Sequence, residues 1–538
     1  MPRPAVAIAP APLPPSPAPS PPASHSAPAP ALPLTQRASL TVVAFGLDFG
    51  VKTIVGLVIT PLLVERLGAA LFGVWEILGR LAGYVAALGG RPADALRLVV
   101  ANRQGGDPFA QRRAMGSALV VWLLFLPLAI AASVAFAWYA PTLTGAPDEW
   151  RTAVRVSAGV LFAGGLVGAL FLIPESVLYG MNLGYKRMEL QAGLNLVGGL
   201  LTAGAVYAGL GLTGVSGAQV ILAALSGLCF WMLAKRYVAW FGAARPSRAE
   251  VKTLLGLSTW LAGGDLVAKL LLASDVLILG ILVSPTIVTT YVLTAYAGRA
   301  AAAIHTSAVG AAMPGLGGLI GDRQYERAML VRRELLALTW LFAMAVGVTI
   351  LVWNRSFLTL WVGADKYAGT VVNLLLVIMA TQTAFIRADS YIIDAALQSW
   401  LRVVISVGAV VVTIAFAVAF TRAWGLPGLC LGVIVGRLTQ TVAYPLLARR
   451  SVGDRGAVVA TGLVRALVVS AVLFAVALRY ADRVAPLTWL GWAAGVAATV
   501  TVVSGLAFAA GLSAASRRMV VRRVVEIARK RSPQRPAP

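Results

Sequence analysis

LTVVAFGLDFGVKTIVGLVI, residues 40–59, and WLAGGDLVAKLLLASDVLIL, residues 260–279, decide how this chain is read. Each is an apolar run long enough for a helix to cross about 30 Å of hydrocarbon. Each carries an acid four residues before a lysine, Asp48 and Lys52 in the first, Asp265 and Lys269 in the second. That spacing puts both side chains of a pair on one helical face. Charge held in hydrocarbon is costly, so such residues face a partner, a bundle interior or a water-filled path. The recurrence of the device 217 residues later implies two related halves around a polar interior.

The composition agrees with a membrane protein. Of 538 residues, 59% are hydrophobic and 12% charged, with a mean hydropathy of +0.82, outside the range of soluble domains. Apolar runs predict an all-α polytopic protein of about fourteen transmembrane helices. They lie near 41–63, 70–90, 114–140, 155–179, 190–210, 213–234, 254–283, 286–313, 331–353, 369–397, 402–421, 424–447, 457–478 and 487–512. The expected organisation is a Pro/Ala-rich cytoplasmic tail (1–36), an N-lobe of helices 1–6 (37–240), a C-lobe of helices 7–12 (241–450), helices 13 and 14 (451–512) and a basic cytoplasmic tail (513–538). The density of Pro in the first tail forbids a helix. In the last tail, Arg517, Arg518, Arg522, Arg523, Arg529 and Lys530 surround a valine-rich stripe, as in a cationic helix on an anionic leaflet or a simple stop-transfer cluster.

The formal net charge of +24 does not point to nucleic acid, because the basic residues are sorted by connection. About 30 of the 45 fall in the even-numbered connections and the tails, which places both termini in the cytoplasm of a cell with the chain in its inner membrane. Cys229 and Cys430 lie inside helices and predict no disulfide. With two Cys and two His, no zinc or iron-sulfur site can be assembled, so no cofactor is expected. No G-x-x-x-x-G-K-[ST] stretch occurs, and the short outer connections leave no place for an enzyme's catalytic loop, which sets aside a membrane glycosyltransferase or polymerase.

The repeat continues into the next helix of each half, where Gly79-Arg80 and Gly298-Arg299 match when a small gap is allowed. At TPLLVERLGAALFGVWEIL (60–78), with Pro61, Leu67, Gly68, Phe72, Gly73 and Trp75, the chain resembles bacterial polysaccharide flippases of the multidrug/oligosaccharidyl-lipid/polysaccharide exporter superfamily. Further matches are LRLVVANRQGGD (96–107), LYGMNLGYKRMELQAGLNLVGGLL (178–201), SDVLILGILVSPTIVTTYVLTAY (274–296), MPGLGGL (313–319) and NRSFLTLWVGADKYAGT (354–370). Thr290 and Tyr291 depart from the aromatic-Gly-Trp pattern in the second half. The resemblance implies movement of lipid-linked oligosaccharide between leaflets by alternating access of two lobes, with polymerase or glycosyltransferase partners in the pathway. Lipid II flippases and multidrug antiporters of the same superfamily are the alternatives.

A sugar-pyrophosphate substrate implies a cationic cavity. The candidates are Arg80, Arg299 and Lys269, followed by Lys52, Arg387 and Arg437; the forked guanidinium grips phosphate oxygens in pairs. The alternative is that each only neutralises a neighbour: Lys52 with Asp48, Arg80 with Glu76, Lys269 with Asp265, Arg387 with Asp394. Asp48, Glu76, Asp265, Asp275 and Asp389 are candidates for coupling to H⁺ or Na⁺, since protonation of a buried carboxyl removes its ion pair. His305 reads as a hydrogen-bonded structural residue in preference to a titrating switch. Trp75, Tyr84, Tyr179, Tyr291 and Tyr296 are candidates to stack on sugars, and Trp138, Trp150, Trp353 and Trp361 read as interfacial anchors.

Overall fold

The computed structural model describes residues 34–531 except 105, 453–459, 482 and 484–487, so most of the Pro-rich tail and Arg455 lie outside the described residues. Among the described residues the chain is helical, without strands. Eleven helices are long and apolar enough to cross a membrane, but two are double length, Ala44–Leu88 with 45 residues and Ser399–Ser451 with 53. At about 1.5 Å per residue either would run to more than twice the thickness of a hydrocarbon core. Each takes a non-helical turn at a glycine, Gly68 (φ 79°) or Gly425 (φ 60°), and therefore crosses twice; the second also bends at Arg437. Arg248–Leu282 has the length of a crossing and carries Asp265, Lys269 and Asp275 in its middle.

Fourteen crossings result among the described residues. Crossings 1 and 2 flank Gly68 within Leu34–Leu88, and crossings 3 to 7 are Pro108–Thr144, Arg151–Gly180, Gly184–Tyr207, Gly211–Tyr237 and Arg248–Leu282. Crossing 8 is Pro285–Thr294 followed after Ala295 by Tyr296–Gly310. Crossings 9 and 10 are Tyr325–Trp361 and Thr370–Ala395; 11 and 12 flank Gly425 and end at Ser451; 13 and 14 are Ala460–Ala481 and Trp489–Leu506. Two connections expected as loops are helical, Pro92–Asn102 and Met313–Gly321. Pro92 and Pro314 fall in the first turn of these helices, where the missing amide hydrogen costs no intrahelical bond.

The two halves are built alike. Crossing 1 packs on 5, 3 on 4 and 4 on 6; in the second half 7 packs on 11, 9 on 10 and 10 on 12. The left-handed turn residues recur as well: Gly145 with Gly363, Asn182 with Leu397, and Gly209 with Gly425, each pair 215 to 218 residues apart. Crossings 13 and 14 pack outside the repeat, on crossing 9.

The halves meet most closely near the turn between crossings 7 and 8. Gly73 lies so close to the Pro285 carbonyl that a Cβ would overlap it, and Gly145 sits against Gly280 and Pro285. The Trp361 indole donates to the Leu57 carbonyl at 2.7 Å and its ring lies 4.6 Å from Tyr296. Trp361 is thus buried in the seam between the halves and is not a surface anchor; Trp138 and Trp150 are exposed.

Candidate substrate-binding site

Below that seam lies an open cavity of about 470 Å³, walled by the second half and reached from the first half by Arg80. Arg80 reaches it from crossing 2, Arg299 from the first turn after the break in crossing 8, Arg387 from crossing 10 and Arg437 from the bend in crossing 12. Asp275, Tyr291, Thr294, Asn373 and Thr383 share the wall. Four of the six predicted cations therefore converge on one space, from four different crossings.

Their compensation is uneven. Arg80 lies 3.6 Å from Glu76, one turn earlier on the same helix, and its Nε has no partner. Arg299 is 4.0 Å from Asp275, and its guanidinium sits 5.5 Å from the centre of the Tyr291 ring. The Tyr291 hydroxyl donates to the same Asp275 oxygen, Oδ2, so the acid is shared. Arg437 is 6% exposed yet has only neutral partners, donating to Thr383 Oγ1 at 3.1 Å and to the Leu271 carbonyl at 2.8 Å. Among the described residues no carboxylate pairs with Arg387 or Arg437. Four guanidiniums face two carboxylates, an excess of two positive charges in a cavity at membrane depth. Such an excess is stable only with water, anions or a ligand to compensate it.

Lys269 does not join them. It donates to the Gly83 carbonyl at 2.7 Å and pairs with Asp265 at 2.7 Å, where Arg91 adds a second contact at 3.0 Å. This cluster fastens crossing 7 to the first half, together with Glu250, which takes Arg103 at 3.1 Å and Arg113 at 3.7 Å. Lys52 and Asp48, unlike Lys269 and Asp265, are not paired. Asp48 accepts from Asn195 on crossing 5 at 2.8 Å, and Lys52 is exposed one turn before Gly56, which abuts the Tyr296 hydroxyl. Asp394 bonds Arg402 across the turn at 2.7 Å and leaves Arg387 unpaired. Of the remaining coupling candidates, Asp389 is buried against Arg332 at 2.8 Å. His305 is buried with Nε2 2.9 Å from Thr339 Oγ1.

Sequence reasoning missed two polar groups that matter. Arg332 lies in a stretch read as a cytoplasmic charge cluster, yet it is buried. Arg187, in a helix start read only as a family motif, bonds Glu175 at 2.7 Å and Tyr179 at 3.0 Å. Each stands beside a second basic residue, Arg333 or Lys186, at the start of an apolar run, so nothing in the sequence sets it apart from a surface cluster.

No family model matches the chain, and no curated protein matches it in sequence. Solved structures do match in fold. The inward-closed lipid II flippase MurJ superposes with a TM-score of 0.64 at 12% identity, over 87% of this chain and 99% of that one. A multidrug resistance MATE family transporter of the MOP superfamily matches in its inward-facing form with a TM-score of 0.60 at 16% identity, over 78% and 100%. The outward-facing form gives 0.54 at 15% identity, over 77% and 95%. The chain shares the fold of these structures and is a multi-pass membrane protein.

Proposed function

We propose that the chain is a flippase that carries a lipid-linked oligosaccharide across a bacterial inner membrane for surface polysaccharide export, with its tails in the cytoplasm. The observation that carries this reading is the two-charge excess of Arg80, Arg299, Arg387 and Arg437 over Glu76 and Asp275. A diphosphate esterified at both ends bears one negative charge on each phosphate, which matches that excess. Guanidinium forks suit its paired oxygens, and a cationic drug would meet repulsion instead.

The seam at Gly73, Pro285 and Trp361 holds one side closed while the cavity stays polar beneath it. Alternating access then means breaking that seam and closing the other side. A coupling ion, H⁺ or Na⁺, acts at a carboxylate whose partner changes between states. Asp48, which accepts from the Asn195 amide and so ties crossing 1 to crossing 5, is the best placed. Export of lipid II is the second reading, favoured by the longer match to the MurJ structure than to the multidrug transporters.

The test is export in cells whose surface glycan depends on this chain. Arg80→Gln and Arg299→Gln are expected to abolish export with normal amounts of folded protein in the membrane, and Arg→Lys to restore it in part. Gln variants that export at the normal rate would overturn the site. A chain that rescues lipid II export and not polysaccharide export would shift the substrate to the second reading.

A further inference from the structure

The arginine cavity adjoins a larger chamber, about 790 Å³, set among crossings 7, 10, 11 and 12 of the second half. The two share Leu272, Thr383, Arg387 and Arg437 as a common wall. We propose that this chamber is the glycan subsite of the same substrate, with Arg387 and Arg437 forming a collar at the junction between pyrophosphate and first sugar. The proposal rests on the flippase reading and adds where the sugars go.

The chemistry of the wall selects the occupant. Asp394 and Arg402 are paired at 2.7 Å, with Ser399 donating to the same carboxylate at 3.0 Å, and both side chains remain partly open to the chamber. Gln440 donates to the Tyr444 hydroxyl at 3.1 Å, and that hydroxyl lies 2.7 Å from Ser406 Oγ. Trp260 closes the rim, its ring stacked on Trp400 at 5.6 Å. A prenyl chain here would leave a carboxylate, a guanidinium and an amide dry against hydrocarbon, which is costly. A sugar satisfies all of these groups, since its hydroxyls donate and accept in turn while its C–H face lies on an indole. The volume is that of a small-ligand site, about 300–1,000 Å³.

The first half shows what the second has been relieved of. Arg187 and Arg402 stand at equivalent places, each four residues after the turn bond of Leu183 to Leu178 or of Gln398 to Ile393. In the first half Arg187 continues into a chain, to Gln191 at 3.3 Å, from Gln191 to Asn195 at 3.1 Å and from Asn195 to Asp48 at 2.8 Å. That chain ties crossing 5 to crossing 1. In the second half the equivalent helices 7 and 11 keep their Trp260–Trp400 contact at the rim, and the space behind it is open.

Gly264 gives a clean test, because a Cβ there meets nothing within 4 Å, and it lines the chamber without touching an arginine. Gly264→Leu and, one turn on, Ala268→Phe fill the chamber independently. Full-length protein in nanodiscs is titrated with farnesyl pyrophosphate and with farnesyl pyrophosphate carrying a disaccharide, and thermal unfolding confirms that each variant is folded. We expect the filled variants to bind the bare ligand within about twofold of the wild type and the glycosylated one about tenfold more weakly. Arg80→Gln should weaken both. Filled variants that bind both ligands as the wild type does would place the glycan elsewhere, and equal weakening of both would make the chamber part of the headgroup or lipid site; either result overturns the subsite. A wild type that binds neither ligand overturns the pyrophosphate reading and the subsite with it.

Discussion

Pro61 has no amide hydrogen, so the Leu57 carbonyl one turn earlier loses its helical donor. The Trp361 indole, from the other half of the molecule, supplies one at 2.7 Å. An irregularity within crossing 1 is thereby satisfied only while the seam is closed. A membrane hydrogen bond of this kind contributes about 0.6–1.7 kcal/mol. Trp361→Phe should therefore destabilise the folded protein by about that amount in thermal unfolding, and by less in a Pro61→Ala background, where residue 61 can serve Leu57 itself. An equal effect in both backgrounds would show that the ring's packing and not its N–H matters. The Arg332–Asp389 pair behaves differently because both partners are buried. Arg332→Leu alone strands a carboxylate and should cost about 3–5 kcal/mol, whereas Arg332→Leu with Asp389→Leu should recover most of it. That contrast separates a structural pair from the uncompensated arginines of the cavity.

Helices and their breaks were legible in the sequence to different degrees. The fourteen apolar runs followed from length and hydropathy, because hydrocarbon thickness fixes the number of residues that a crossing needs, and the halving at crossings 1 and 7 followed from the recurring charged pair. The direction in which each charge points did not follow. The i, i+4 spacing made Asp48–Lys52 and Asp265–Lys269 look equivalent, but one face meets Asn195 and the other meets Gly83 and Arg91. Helical period assigns a face, and only the neighbouring helix decides what that face meets. Arg387 and Asp394 failed as a pair for a related reason: Asp394 sits in the last turn of its helix, where it can reach over to Arg402. The family motif at Phe72-Gly73 acquires a physical meaning here, since only glycine lets crossing 2 approach the start of crossing 8. Gly73→Leu should hold the seam apart. A cysteine in place of Val288, which is fully buried in that seam, should then react with a bulky impermeant maleimide, while it stays protected when Gly73 is retained. Protection in both would mean that the helices find another way to close.

At the scale of the whole molecule, an even number of crossings places both tails on one face, together with the connections that carry the basic clusters. The turns at Gly68, Gly145, Gly363 and Gly425 lie on the opposite face, where Gly73, Pro285, Trp361 and Leu57 seal the halves against each other. Crossing 8 runs from that seal towards the tails, and along it the residues become more open, from buried Tyr291 through half-buried Arg299 to exposed Ser307, all three on the cavity wall. The arginines are thus reached from the tail face in this state. A cysteine in place of Ser307 should be modified by a charged, impermeant maleimide in inside-out vesicles and be protected in right-side-out cells, while a reporter fused after residue 531 reads out the cytoplasm. Labelling from the reporter's own side is required because the charge bias and the closed seam are independent observations that must agree on one orientation. Modification of Ser307→Cys only from the side away from the tails would mean that the cavity opens through the seam itself, and that the resting state of the protein in the membrane faces the other way.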